Sequence, residues 1–423
     1  MKVFPNKNIH LTYCTNIHPG EEWNQVFANL VEYIPPLKKN LSPLGAFGIG
    51  LRLADAASRT ILEGNALQEF KSWLNEHDLY VFTLNGSSYG GFNSQVVKDK
   101  VYKPDWSKQE RLEYTLRLTN ILAELLPEEI EGSISTVPLS YKPWFEGNQL
   151  SQAQVISSAT IHITLVVAQM VRIRAATDKI LHLNLEPEPD GLIENAEEVV
   201  KYFENYLLPI GRTYLADNLG IPQTAAEVLL LEHVRVCYDT CHFSVEYEDP
   251  ACVFRKLQAA GIQIGKIQIS AALKVELPQD SRQRLLLQDK LQAFAESTYL
   301  HQVIARYPDG KLQNYRDLAT ALYFLQESKA CEWRTHFHAP LFINDYQILQ
   351  STQDDIVTVF ELLRNNEICN HLEIETYTWE VLPPQMKLDM SASIQREYEW
   401  VLWKLQATNS PKYEKIRVLG VRS

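Results

Sequence analysis

The sequence predicts a (β/α)8 barrel, or TIM barrel, formed as a single domain by residues 1–423. Eight short apolar segments have the composition of buried strands, and amphipathic segments with helical spacing lie between them. Eight strand and helix units in alternation are typical of a parallel barrel, and a barrel with insertions reaches this length. An open, doubly wound sheet remains the alternative, because the number of strands alone does not close a barrel.

The predicted strands are short runs rich in Val, Ile, Leu and aromatic residues, as buried strands usually are. In chain order they are residues 9–15, 46–53, 79–85, 132–138, 180–186, 234–240, 265–270 and 371–377. Segments with apolar residues at positions i, i+3 and i+4 separate them. The clearest of these helices is 250–261, which has Pro at its start and Gly at its end.

Two connections are too long for simple loops, and we interpret them as insertions. They are residues 86–112 after strand 3 and residues 271–333 after strand 7. Both follow the C-terminal end of a strand, which is the face where barrels of this kind carry their active sites. The insertions are therefore expected to border a functional site.

Composition restricts the class of protein. Hydrophobic residues make up 45% of the chain and the formal net charge is −12, so an acidic surface repels nucleic acid and no such partner is expected. The chain has no run of 18 apolar residues, so no integral membrane segment is predicted. The six cysteines form no CxxC pair, and the N-terminal residues lack a signal-peptide pattern. A cytoplasmic location with reduced thiols is expected.

Carboxylates and imidazoles stand where several predicted strands end. Side chains at the C-terminal ends of barrel strands meet in one pocket, and carboxylates with histidines suit a divalent cation. The residue types do not distinguish Mn²⁺, Zn²⁺, Mg²⁺ and Co²⁺. The candidates are Glu186 after strand 5, Asp239 and His242 at strand 6, His336 and His338 in "RTHFHAPLF", and Glu375 at strand 8.

Each of these residues also has an ordinary structural interpretation. Asp239 is placed to cap the helix after its strand, and Glu186 before a proline suits a solvated loop. Taken singly, such interpretations are the more common ones, but their recurrence at several strand ends favours a metal site. Substrate contacts are expected from Asn85 at the end of strand 3, Trp144 after strand 4 and Lys266 on strand 7. For Trp144 a packing role is an equal alternative.

The motifs resemble those of the xylose isomerase-like and endonuclease IV-like barrels. "LNLEPE" is similar to the strand-5 motif of that superfamily, "VCYDTCH" to its strand-6 motif, "THFH" to its D-x-H motif and "LEIET" to its strand-8 motif. The resemblance implies a xylose isomerase-like fold. It also implies that Glu186, Asp239, His338 and Glu375 are metal ligands.

The resemblance also assigns further roles and shows where this chain departs from the pattern. Glu186 and Glu375 would be the catalytic carboxylates, and His242 and His336 would be ligands or substrate contacts. A histidine expected on strand 7 is Gln268 here, which leaves this residue as another metal or substrate contact. The histidines that hold a three-zinc cluster are absent from strands 2 and 3, so one ion or two is the expectation.

A narrower resemblance links the chain to the EboE family of bacterial metabolite-traffic proteins. It is carried by "LTYCTNIHPGEEW", "NGSSYGGFNSQVVKDKVYKPDW" and "THFHAPLF". It implies a barrel that serves the synthesis or transport of secondary metabolites, with a membrane protein as a further partner. The first functional hypothesis is therefore a metal-dependent isomerase or epimerase of a sugar-like or cyclitol-like polyol. The alternatives are a metal-dependent hydrolase of a small phosphoester and a metabolite-binding protein without catalysis.

Overall fold

A computed structural model describes residues 1–4, 6–91, 98–292, 294–295, 300–346, 348–376, 378–379, 382 and 386–406. Part of the first predicted insertion and the last predicted residue of strand 8 lie outside these residues. The described chain contains fourteen strands. They are β1 (His10–Tyr13), β2 (Phe47–Arg52), β3 (Leu79–Asn85), β4 (Gly132–Thr136), β5 (Leu181–Leu185), β6 (Val234–Asp239), β7 (Ile264–Ile269), β8 (Ala271–Glu276), β9 (Val303–Arg306), β10 (Leu312–Tyr315), β11 (Glu332–Ala339), β12 (Asp345–Tyr346), β13 (Leu349–Ser351) and β14 (His371–Ile374).

Eight of these strands form the predicted parallel barrel. Their order is β1-β14-β7-β6-β5-β4-β3-β2, and every paired neighbour in this sheet runs parallel. Each of the eight predicted strand segments overlaps one of them, and only β7 begins outside its segment, by one residue. The prediction of a (β/α)8 barrel is therefore confirmed, and the open doubly wound alternative is excluded by the contact between the two end strands described next.

The ring closes between β1 and β2 mainly through threonine side chains. The Thr12 hydroxyl donates to the Gly48 carbonyl at 3.0 Å and accepts from the Gly50 amide at 2.7 Å. The Arg52 amide donates to the Thr15 hydroxyl at 2.9 Å, and a single parallel bridge joins Cys14 to Gly50. This seam brings the first and second strands together without a regular backbone ladder.

Helices surround the barrel and carry its outer polar surface. Apolar stripes on these helices pack against the outward side chains of the strands, and together they form one continuous core. The helices are α1 (Trp23–Leu41), α2 (Asp55–Thr60), α3 (Ala66–Glu76), α4 (Gln109–Leu125), α5 (Gln149–Thr177), α6 (Ala196–Tyr202), α7 (Arg212–Leu219), α8 (Gln223–His233), α9 (Thr240–Val245), α10 (Pro250–Ala259), α11 (Ser281–Gln292), α12 (Leu318–Phe324), α13 (Gln353–Asn365) and α14 (Met390–Gln406).

The second predicted insertion has a sheet of its own. Six antiparallel strands follow the order β10-β9-β11-β8-β13-β12, and the sheet extends from Ala271 to Ser351, beyond the predicted end at residue 333. Buried side chains of this insertion, Trp333 on β11 and Leu291 on α11 among them, form a separate cluster. The sheet packs against the C-terminal end of the barrel. One contact between them is the hydrogen bond that the Gln302 side-chain amide donates to the Pro189 carbonyl at 3.0 Å. The segment "THFHA" is part of strand β11.

One described helix, α5, is long and apolar enough by length and composition to cross a membrane. Half of its most apolar window is buried inside the protein, where it packs against α4 and α7. Core helices of globular proteins commonly meet the same criteria, so this helix is weak evidence for a membrane span.

Candidate metal centre

A small cavity of about 110 Å³ opens at the C-terminal end of the barrel, beneath the second sheet. Barrel strands, the loops after them and the insertion all contribute to its wall, which is rich in carboxylate, carboxamide, hydroxyl and imidazole groups. The wall is formed by Asn16, Asn85, Ser87, Ser88, Lys98, Val101, Tyr102, Val137, Glu186, Glu188, His242, Leu300, His301, Gln302, His336, Phe337, His338, Glu375 and Thr378.

Asp239 combines a structural role with an oxygen that accepts no hydrogen bond. Its Oδ1 accepts from the amides of Cys241 (2.7 Å) and His242 (3.1 Å), which caps α9, and from the hydroxyl of Ser270 (2.6 Å). The capping interpretation is thus correct for one oxygen. The other, Oδ2, is completely buried and accepts no hydrogen bond. A buried acceptor without a donor is costly, so the atom is suited to a cation.

Three carboxylates surround this position. Single oxygens of Glu186, Asp239 and Glu375 lie within 4.8 Å of one another, on β6 and just after β5 and β14. The Ser87 hydroxyl donates to Glu186 at 2.9 Å, and the Asn16 amide donates to Glu375 at 2.6 Å. These donors fix the carboxylates, because strand ends and short polar contacts leave them little rotamer freedom.

Three histidines stand beside the carboxylates, and each is oriented by an oxygen acceptor. Nδ1 lies 3.1 Å from the Pro187 carbonyl in His242, 2.9 Å from the Gln302 side-chain oxygen in His336, and 2.9 Å from the Glu375 carbonyl in His338. A proton on Nδ1 in this contact makes Nε2 the basic nitrogen, and that tautomer binds metals. The ring centroids of His242 and His336 are 4.6 Å apart.

The donor atoms form overlapping groups that fit a divalent cation. Asp239 belongs to the carboxylate group and also to a second group with His242 and His338. Glu188, two residues beyond Glu186, forms another group with His242 and His336, and Cys241 forms one with His336 and His338. The described residues therefore bring together every side chain predicted as a ligand, although Glu186 and Glu375 share no group with His338.

Burial and mutual repulsion raise the pKa values of the acids. Burial, with repulsion from Asp239 among the further causes, raises the pKa of Glu375 to about 7 and that of Glu188 to about 8, while the pKa of Glu186 lies well above its usual range. Burial lowers the pKa of His242 to about 4. A cation that binds these carboxyls would therefore displace the protons they hold.

The remaining predicted residues occupy different depths of the barrel. Asn85 lines the cavity, with its amide 3.5 Å from Glu375, and Gln268 lies below it and donates to the same carboxylate at 3.1 Å. Lys266 and Trp144 are not among the cavity-lining residues. Trp144 lies 5.6 Å from the ring of Tyr141 and its indole N–H donates to an aspartate, so its contacts are those of packing.

Lys266 lies deeper in the barrel interior because it forms a buried ion pair there. Its ammonium contacts the carboxylate of Glu373, and both side chains are fully buried. Its second contact is the Ser135 hydroxyl at 3.3 Å. Gly50 on β2 leaves space for Glu373, since a Cβ at that glycine would overlap the carboxylate. This pair lies one inward position below Gln268 and Glu375, and it stabilises the floor of the site.

Several residues of the site were not predicted. Asn16 and Ser87 follow β1 and β3. They could have been predicted in the same way as Glu186, because polar residues after the C-terminal ends of barrel strands line the site. His301 and Gln302 come from the insertion, and their approach to the cavity depends on how the second sheet packs. No sequence pattern reports that packing.

No protein-family model and no curated protein matches this chain. Solved structures that it resembles include a D-tagatose 3-epimerase-like protein, with 10% sequence identity, a TM-score of 0.48 and coverage of 95% of this chain and 98% of that one. The IolI protein with a zinc atom bound has 10% identity, a TM-score of 0.47 and coverage of 95% of this chain and 100% of that one. The probable 3-DHS dehydratase AsbF of petrobactin synthesis from Bacillus anthracis has 11% identity, a TM-score of 0.42 and coverage of 93% of this chain and 98% of that one. The strand order and parallel register of the chain itself identify it as a (β/α)8 barrel.

Proposed function

We propose that this protein is a divalent-metal-dependent isomerase or epimerase of a small polyol of the sugar or cyclitol type. The observation that carries the proposal is the buried Oδ2 of Asp239, which accepts no hydrogen bond, in a residue whose carboxylate lies within 4.8 Å of those of Glu186 and Glu375. The ion would be held by these three residues. When bound, it would polarise a substrate carbonyl and acidify the neighbouring C–H bond.

We assign proton transfer to the carboxylates of Glu186 and Glu375. Glu186 and Glu375 project from separate strand ends into the same cavity. One removes the proton from the carbon next to the carbonyl, and the other returns a proton to that carbon from the opposite face, which inverts it. Return to the adjoining carbon would isomerise the substrate instead. Asn85 and the cavity histidines supply hydrogen bonds for the hydroxyl groups.

Hydrogen exchange tests this chemistry without knowledge of the product. The protein loaded with Mn²⁺ or Zn²⁺ is incubated in D₂O with ketoses, aldoses and cyclic polyol ketones, and proton NMR follows loss of the α-proton signal. We expect exchange in at least one substrate and none in metal-free protein. An ion-loaded protein that binds polyols but exchanges no proton would contradict the proposal and favour a metabolite-binding protein.

Replacing Asp239 by Asn should remove the ion and preserve the fold. Asparagine keeps the oxygen that caps α9 but loses the charge on the unpaired side, so we expect Mn²⁺ affinity to fall about 100-fold. Isothermal titration of wild type and Asp239→Asn measures this. Asp249→Asn is the matched control, since Asp249 caps α10 through the Cys252 amide (2.8 Å) and lies outside the cavity. Equal affinity in wild type and Asp239→Asn would exclude this ion position.

Metal binding should weaken as the pH falls below 7. Glu375 has a pKa of about 7 in the metal-free protein, so below that pH the ion must displace its proton and affinity should fall about tenfold per pH unit. The raised pKa favours the protonated folded form. Its contribution to stability is therefore complete below 4.5 and is lost as the pH rises to 7. Mn²⁺ titrations and thermal unfolding between pH 5 and 8 check both trends, and a pH-independent affinity would contradict them.

A second candidate function is hydrolysis of a small phosphoester. The observation that favours it is the pair of donor groups that share Asp239, since two ions held side by side can stabilise both oxygens of a displacement at phosphorus. Release of nitrophenol from a chromogenic phosphodiester, lost in Asp239→Asn, would support it over the first proposal.

The resemblance to the EboE family extends the proposal to a biological role. It suggests a secondary-metabolite precursor as the polyol, and a membrane protein that receives the product. Co-purification with a membrane fraction from the native host, compared with the Asp239→Asn variant, tests the second part. Recovery in the soluble fraction alone would remove the membrane partner from the proposal.

A further inference from the structure

We infer that the side-chain carbonyl of Gln268 is the fourth protein ligand of the proposed ion, which makes the site an all-oxygen one that prefers Mg²⁺ or Mn²⁺ to Zn²⁺. The inference rests on the proposed function, because it concerns the ion held by Glu186, Asp239 and Glu375. Beyond the proposed function, the inference specifies the class of metal that binds and assigns its selection to Gln268.

Two buried oxygens without hydrogen-bond donors lie on neighbouring strands. Asp239 on β6 is the register partner of Gln268 on β7. Asp239 Oδ2 and Gln268 Oε1 are both buried, with no hydrogen-bond partner, and both side chains have zero exposure to solvent. A buried acceptor without a donor destabilises the fold, so a shared cation explains both.

The hydrogen bond to Glu375 fixes the orientation of the Gln268 amide. Nε2 donates to Glu375 Oε2 at 3.1 Å. Rotating the amide by 180° would place Oε1 against that carboxylate oxygen, and two acceptors repel each other. The carbonyl oxygen is therefore the atom left without a donor, in a layer of the barrel that already contains Asp239 and Glu375.

The donor set determines the kind of ion. Three carboxylates and a carboxamide provide oxygen alone, and Mg²⁺ and Mn²⁺ prefer oxygen ligands. Imidazole shifts preference toward Zn²⁺, and His242 Nε2 lies 3.8 Å from Asp239 Oδ2, but His242 and His338 share a donor group with Asp239 alone and not with Glu186 or Glu375. Those histidines are placed to contact the substrate or a second ion.

Three variants at one position separate a ligand from a hydrogen-bond donor. In Gln268→Leu both functions are lost, and we expect Mn²⁺ affinity to fall at least about tenfold. Gln268→Glu keeps an oxygen ligand but cannot donate to Glu375, so affinity should be retained or increased. In Gln268→His the ratio of Zn²⁺ to Mn²⁺ affinity should rise. Gln169→Leu, on the exposed face of α5, is the matched control and should bind as wild type does.

Titration calorimetry gives the affinities, and electron paramagnetic resonance of bound Mn²⁺ reports the ligand atoms. We expect no directly coordinated nitrogen in wild type and one in Gln268→His. Coordinated nitrogen in wild type, equal losses in Gln268→Leu and Gln268→Glu, or no ion binding at all would overturn the inference. Thermal unfolding of each variant verifies that it is folded. A protein that binds Mn²⁺ through Gln268 but exchanges no substrate proton would instead refute only the proposed activity.

Discussion

Glu375→Gln should lower the rate of substrate proton exchange about 1,000-fold to 10,000-fold at saturating Mn²⁺. The carboxylate is one of two groups that transfer the proton, and an amide cannot accept it. The amide still offers an oxygen to the ion and to the Asn16 side chain, which donates to Glu375 at 2.6 Å. Substrate affinity should therefore change little, and the loss should appear in kcat. Exchange rates by NMR and ligand affinity by calorimetry measure the two quantities separately.

Glu361→Gln is the matched control for this prediction. Its side chain is 61% exposed on α13, outside the cavity, and the substitution should leave exchange unchanged. If Glu375→Gln exchanged as fast as this control, Glu375 would have no part in proton transfer. If both ligand affinity and exchange were lost, the residue would act in binding.

Lys266→Met should lower the free energy of unfolding by about 3–5 kcal/mol. The substitution leaves the carboxylate of Glu373 buried without its cation, and breaking one partner of a buried ion pair has this cost. The nearby Ser135 hydroxyl and the glycine at position 50 provide no compensating charge. The shift of the urea midpoint, with the slope of the transition compared between variants, measures the effect.

The double variant Lys266→Met/Glu373→Gln should recover most of that loss, because neither charge then remains in the interior. Lys311→Met provides the surface control. Lys311 is 82% exposed in its pair with Asp309, so its removal should cost less than about 1 kcal/mol. Equal destabilisation by the single and double variants would mean that Lys266 acts through packing of its aliphatic chain and not through charge.

The barrel strands were predictable because buried parallel strands are continuous apolar runs, and all eight runs were correct. The strand-end rule also selected Glu186, Asp239 and Glu375, which the fold brings within a few ångströms of each other. Periodicity and strand-end position are local properties, and a sequence displays them directly.

The parts that could not be predicted depend on contacts between distant segments. Lys266 was expected to contact substrate, but its charge is neutralised inside the barrel by Glu373 on β14, more than a hundred residues away. The second sheet pairs β8 with β11 and β13, so its extent depends on antiparallel register that short polar strands do not specify. The two histidines of β11 reach the cavity only because this sheet packs over the barrel mouth.

The position of β14 links completion of the fold to completion of the site. This strand is inserted between β1 and β7, and it carries Glu373 and leads directly to Glu375. A growing chain has synthesised the other seven barrel strands before this one, so the ring can close only after residues 371–374 have been made. Partly synthesised chains would lack both a sealed barrel and an ion-binding centre. The ion would then bind only after the barrel has closed, and cellular metal would stabilise closed barrels but not partly synthesised chains.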